Sequence, residues 1–101
     1  PVIPDGCRHN AHMFYILLNS AEEQRKVLEG MNKRGVNAVF HYQPLHSAPA
    51  GRKYGRMHGK LKITDAVSIR LIRLPLFSTI TVEQVDHICT VLEQLIDGGK
   101  K

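Results

Sequence analysis

The chain has 101 residues, one domain by size and too few for a two-domain enzyme. A hydrophobic fraction of 43% and a charged fraction of 23% exclude a disordered tail. No apolar run reaches the roughly eighteen residues that span a bilayer and no signal-peptide pattern is present, so the expected compartment is the cytoplasm; the formal charge of +5 favours polyanions, although Lys and Arg are scattered.

Residues 12–18 read as a strand, with Phe14, Ile16 and Leu18 on one face and Met13, Tyr15 and Leu17 on the other. Both faces are apolar, so this strand is expected at the centre of a sheet, covered on both sides. Ser20 with Glu23 is a capping-box signature; Val27, Leu28 and Met31 continue a helical stripe and Gly35 stops it, which gives a helix over 21–34. Residues 36–42 are rich in β-branched and aromatic types and form a second strand, ended by Pro44.

Pro44, Pro49, Gly51, Gly55 and Gly59 then punctuate a long loop over 44–60, and such loops inside compact domains are more often functional than idle. A short helix is predicted over 64–71, and a short strand over 73–77 whose Pro75 argues for a sheet edge. Thr81 with Gln84 is a second capping box; it opens a helix with Val85, Ile88, Leu92, Leu95 and Ile96 on one stripe, ended by Gly98-Gly99 before a solvated Lys100-Lys101 tail. The fold class is therefore α+β, a small three-stranded sheet with helices packed mainly on one face. The other face, carrying Met13, Tyr15 and Leu17 or their opposite set, is expected to pack against something outside the chain.

Cys7 and Cys89 lack zinc or redox spacing and read as reduced thiols, Cys89 at least partly buried on its helix. His9 with His12, and His41 with His46, supply too few converging ligands for a metal site.

Three segments carry a resemblance: Cys7-Arg8-His9-Asn10-Ala11-His12-Met13-Phe14-Tyr15-Ile16, His41-Tyr42-Gln43-Pro44-Leu45-His46, and Ser68-Ile69-Arg70-Leu71-Ile72-Arg73-Leu74-Pro75-Leu76-Phe77. Together and in this order they resemble the C-terminal region of the DegT/DnrJ/EryC1/StrS family of pyridoxal-phosphate sugar aminotransferases, over about Cys7 to Ile96. Within that family the likeness is nearest to members acting on dTDP-4-keto-6-deoxy-D-glucose. The resemblance implies the small C-terminal domain of a fold-type I enzyme. Such a transaminase moves an amino group, usually from glutamate, to the 4-keto carbon of a nucleotide-linked deoxysugar for surface-polysaccharide synthesis, as a homodimer. A chain opening on Pro1 suits a piece of such an enzyme without its large domain.

Transamination on pyridoxal phosphate needs a Schiff-base lysine, a carboxylate on the pyridinium nitrogen and donors for the phosphate. The resemblance places these upstream. None of Lys26, Lys33, Lys53, Lys60 and Lys62 is given that role, no catalytic residue is named, and the chain alone is expected to bind no cofactor and to be inactive.

The substrate-binding candidates are His46, Tyr42, Arg52 and Arg70. His46 follows the shared Pro44-Leu45 pair at the start of the long loop, which the resemblance puts near the cleft between domains; it either hydrogen-bonds a sugar oxygen or ties the loop down. Tyr42 points into that cleft or caps the core. Arg52, with Lys53, Arg56 and Lys60, suits a diphosphate or is simply solvated. Arg70 matches the family's Ser-x-Arg before Leu-Pro-Leu, or bonds loop carbonyls; Val67 and Ile69 depart from the more polar helix of relatives and loosen the sugar assignment. The competing reading is a small basic α/β nucleic-acid-binding module, weakened because Phe14, Tyr15 and Phe40 sit in strands that look buried rather than on an exposed stacking sheet. Neither nucleic acid nor membrane is expected as a partner.

Overall fold

The computed structural model describes residues 2–98; Gly99 and the tail at Lys100-Lys101 lie outside them. In chain order the elements are β1 (Phe14–Leu17), α1 (Ala21–Lys33), α2 (Pro49–Tyr54), α3 (Lys62–Ser68), β2 (Leu71–Leu74) and α4 (Val82–Asp97).

The two long helices form where their caps and stripes place them. Ser20 accepts a hydrogen bond from the Glu23 amide through Oγ at 3.1 Å, satisfying one free donor of the first turn. Glu23 turns back to the amide and side chain of Asn19 rather than to Ser20, so the reciprocal half of the box is displaced by one residue. At the other end Gly35 takes φ +78°, Gly35 N–H donates to the Asn32 carbonyl and Val36 N–H to the Met31 carbonyl. This is a Schellman closure, and it carries Val36 directly into the core beside Met31. In α4 both halves of the Thr81–Gln84 box are present, and Gly98 closes the helix.

α1 and α4 cover one face of the sheet. Val27, Met31 and Ile72 are fully buried, joined by Leu18, Val36, Ala38, Ile88 and Val91, with Ile16, Leu74, Leu92, Leu95 and Ile96 packed around them. Fully burying side chains of this kind stabilises by about 1.5–3 kcal/mol each. Val91 joins the core from outside the predicted stripe, whereas Val85 is exposed, and Cys89 is exposed rather than partly buried.

The sheet has two strands, not three. β1 and β2 pair antiparallel, Phe14 with Leu74, Tyr15 with Arg73, Ile16 with Ile72 and Leu17 with Leu71. The strand predicted over 36–42 is reduced to one bridge, in which Val39 and Arg73 exchange both main-chain hydrogen bonds. Two local events curtail it: Ala38 N–H donates to the Val36 carbonyl, which bends the chain as it leaves α1, and Tyr42 adopts φ +48°, which turns it off the sheet. β1 is accordingly at the edge rather than the centre, with Phe14 and Leu17 each 48% exposed. β2 is the inner strand. It starts at Leu71 and stops before Pro75, because an inner position needs the amide that proline lacks.

The region 44–60 is not a continuous loop but contains α2, with Pro49 at its first turn where a missing N–H costs nothing. α3 begins two residues before the predicted helix and ends three before it, at Ser68. Among the described residues no helix is long and apolar enough to cross a membrane.

Candidate functional site

On the sheet face away from α1 and α4, the chain over 41–45 and α3 enclose a cleft of about 560 Å³. Its walls are His41, Tyr42 and Leu45 on one side and Ile63, Thr64 and Val67 on the other, with Leu71 of β2 at its base. Tyr42 also borders a second hollow of about 530 Å³ against α1. A third, of about 960 Å³, opens between α2 and α3 and is lined by His46, Arg52, Tyr54, Arg56, His58 and Thr64 among others.

The 44–48 turn that presents His46 is locally determined. Ser47 and Ala48 amides both donate to the Pro44 carbonyl, Ser47 Oγ does the same at 3.0 Å, and Gln43 Nε2 reaches the Ser47 carbonyl at 3.1 Å. α2 then lies so close to this turn that a Cβ on Gly51 would coincide with the Leu45 carbonyl oxygen. Only glycine fits there without moving the turn.

His46 is 13% exposed, and its Nε2 donates to Asp65 Oδ1 of α3 at 2.7 Å. The ring is thereby oriented, with Nδ1 the nitrogen left over for any ligand in the third hollow. Tyr42 is 69% exposed and its ring lies 5.1 Å from the Arg73 guanidinium carbon. Arg52 is exposed on α2 beside the third hollow. Arg70 is separated from all of these: its Nε donates to the Ala66 carbonyl at 3.0 Å and closes the end of α3, beside Ser68 Oγ bonded to the Asp65 carbonyl. His46 and Arg52 thus share one hollow, Tyr42 borders the other two, and Arg70 lines none of the three.

Arg56, His58 and Asp65 extend the set that sequence reasoning named as sites. Arg56 was visible as part of the loop's charge, whereas Asp65 becomes meaningful only when α3 folds against the turn. The third hollow carries Arg52, Arg56, His46 and His58 with no carboxylate among its described lining residues; the neighbouring Asp65 is engaged with His46.

These residues do not make a pyridoxal-phosphate site. Lys26, Lys33, Lys53, Lys60 and Lys62 are all exposed, and no charged side chain is buried among the described residues, so neither a desolvated lysine nor a sheltered carboxylate for a pyridinium nitrogen is present. No group of three His, Cys, Asp or Glu is placed to hold a metal ion among the described residues.

The model of the DegT/DnrJ/EryC1/StrS aminotransferase family matches residues 1–93. The structure is similar to that of an aminotransferase, TlmJ, from Streptoalloteichus hindustanus (TM-score 0.84, 19% identity, 97% of this chain and 25% of that one). It is also similar to PseC from Helicobacter pylori, an aminotransferase involved in the biosynthesis of pseudoaminic acid (TM-score 0.74, 22% identity, 86% and 24%). At these identities the likeness shows the fold. The chain spans about a quarter of the length of the proteins it matches.

Proposed function

Because the chain belongs to the DegT/DnrJ/EryC1/StrS aminotransferase family, we propose that it is the small C-terminal domain of a pyridoxal-phosphate-dependent nucleotide-sugar aminotransferase. The reaction is transfer of an amino group, from glutamate, to the 4-keto carbon of a dTDP-4-keto-6-deoxyhexose for surface-polysaccharide synthesis, in a cytoplasmic homodimer. The cofactor supplies the amino-transfer chemistry. That the residues present here do not fit it supports a reading in which its site belongs to a large domain packed against this one and this chain alone is inactive.

The contribution of this chain is binding and orientation. The observation that carries the reading is the hollow lined by Arg52, Arg56, His46 and His58 with no acidic lining residue, because a diphosphate needs several converging cations and no competing carboxylate. Asp65 fixes the His46 ring through Nε2, so Nδ1 meets the sugar in a set orientation. Tyr54, 78% exposed at the rim with Lys53 5.0 Å from its ring, offers a stacking surface for a base. Arg70 serves indirectly, by closing α3 and so holding Asp65 in place.

Titration calorimetry of the chain with dTDP tests this reading. The expected result is salt-sensitive binding that Arg52→Ala and Arg56→Ala each weaken, by about tenfold for loss of a charge-assisted hydrogen bond. No binding, or binding indifferent to both substitutions, would remove the diphosphate from this hollow.

A further inference from the structure

We propose that the hollow between α2 and α3 binds its diphosphate together with protons, taken up by His46 and His58, so that it holds the ligand at mildly acid pH and releases it as pH rises. This is a regulation of the site already described, and it rests on the nucleotide-sugar reading of that hollow. Arg52, Arg56, His46 and His58 are the basic side chains of its lining. A guanidinium keeps its charge throughout, whereas an imidazole gains or loses its charge between about pH 5 and 8. Half of the basic set is therefore conditional.

The geometry at His46 puts the change on the ligand side of the ring. Nε2 is engaged with Asp65 Oδ1 at 2.7 Å in the neutral and the protonated ring alike, so the proton that comes and goes is the one on Nδ1. Without that proton Nδ1 turns a lone pair to the ligand. With it, the ring adds a charge beside the diphosphate and an Nδ1–H donor for an oxygen of the sugar or the phosphate. The ring is 13% exposed and held by Asp65, so it keeps this orientation. Gly51 packs α2 against the same turn, where a Cβ would meet the Leu45 carbonyl oxygen, and this fixes Arg52 beside His46. His58, exposed in the segment between α2 and α3, lines the hollow as well.

The other titratable and charged groups on the turn, α2, α3 and the segment between them do not cancel the change. Asp65 is committed to His46, Tyr54 lines the hollow as a phenol, and Lys53, Lys60 and Lys62 are exposed outside the lining. Carboxylates gain protons below this pH range, while phenols, ammonium groups and guanidinium lose them above it, so the imidazoles carry the change across it. A diphosphate brings negative charge to both rings and favours their protonated forms. Binding thus draws protons onto them. By linkage, affinity is greatest where both rings are charged and falls as pH rises through the range in which they lose their protons.

The test is calorimetric titration of the 101-residue chain with dTDP-glucose at constant ionic strength, from about pH 5.5 to about pH 8, in pairs of buffers with different ionisation heats. A nucleotide sugar is the probe because both its phosphates are esterified and keep their charge, whereas the terminal phosphate of dTDP gains a proton at about pH 6. Affinity is expected to fall about ten- to hundredfold across the range, a factor of about ten for each charge-assisted bond lost, with net proton uptake on binding near neutral pH. His46→Gln and His58→Gln, which keep a hydrogen-bonding side chain without a titrating proton, are each expected to shallow the slope, and the double variant to flatten it. Wild-type binding that is equally strong at both ends of the range, or that takes up no protons, overturns the inference and leaves the nucleotide-sugar reading standing. A slope that survives in the double variant belongs to another histidine and overturns it as well. Absence of wild-type binding at every pH removes the reading and the inference together.

Discussion

At the scale of single residues, His46 and Asp65 give the sharpest test, since one hydrogen bond of 2.7 Å joins the turn before α2 to α3. His46→Ala is expected to lower stability by about 1 kcal/mol, the ordinary value of such a bond, or about 4–8 °C in Tm for a domain near this size. Asp65 is more than half exposed, so solvent weakens the pair, and a double-mutant cycle measured by thermal melts is expected to give a coupling of about 0.5–1 kcal/mol. Additive losses would show that the two residues do not act together. The sequence made His46 conspicuous through the Pro44-Leu45-His46 run but left it between ligand and anchor, because its partner lies in another element.

Among the elements, the two long helices were legible, α2 was missed inside the predicted loop and α3 was displaced, and the strands were only partly legible. Capping boxes and apolar stripes are local signals, and both α1 and α4 start where Ser20 and Thr81 place them. Thr81→Ala is expected to cost about 1 kcal/mol, through loss of the bond that its Oγ accepts from the Gln84 amide. The same first turn holds the Glu83 carboxyl below its ordinary pKa, chiefly through a backbone hydrogen bond and secondarily through Thr81. A carboxyl depressed in the folded state adds stability above its unfolded pKa, and that stability fades as pH falls toward the depressed folded value. Removing Thr81 should therefore move the Glu83 titration midpoint up, which carbon-detected NMR reads directly; a midpoint that stays put would separate Thr81 from Glu83. Strands depend on distant partners. Residues 36–42 have the composition of a strand, yet only Val39 pairs, because the closure of α1 draws Val36 and Ala38 into the core and the turn at Tyr42 follows at once. Pro75 was read as an edge marker, but it marks where the inner strand ends.

For the whole molecule, the sheet face that carries Met13, Tyr15 and Leu17 was expected to be uncovered but is partly covered by the chain over 41–45 and α3: Met13 and Tyr15 are half-buried and Leu17 is half-exposed, while Leu45 and Ile63 in the cleft above Leu71 are each more than four-fifths exposed. So much apolar surface on a 101-residue chain favours burial against another polypeptide surface. Sedimentation over a concentration series is expected to show self-association, together with binding of a hydrophobic dye; a strictly monomeric chain that ignores the dye would mean that this face is not sticky. The α+β class and the pairing of helices with one sheet face were readable from the order of elements, whereas the division of labour between an apolar cleft and a basic hollow emerged only from the folded chain. The central claim is that this domain handles the nucleotide sugar while the cofactor is held elsewhere. It is tested most directly by mapping amide shifts of the chain on titration with a dTDP-4-keto-6-deoxyhexose. The account requires saturable shifts gathered around His46, Arg52, Tyr54, Arg56 and His58, and shifts that are absent, or gathered on the outer face of α4, would contradict it.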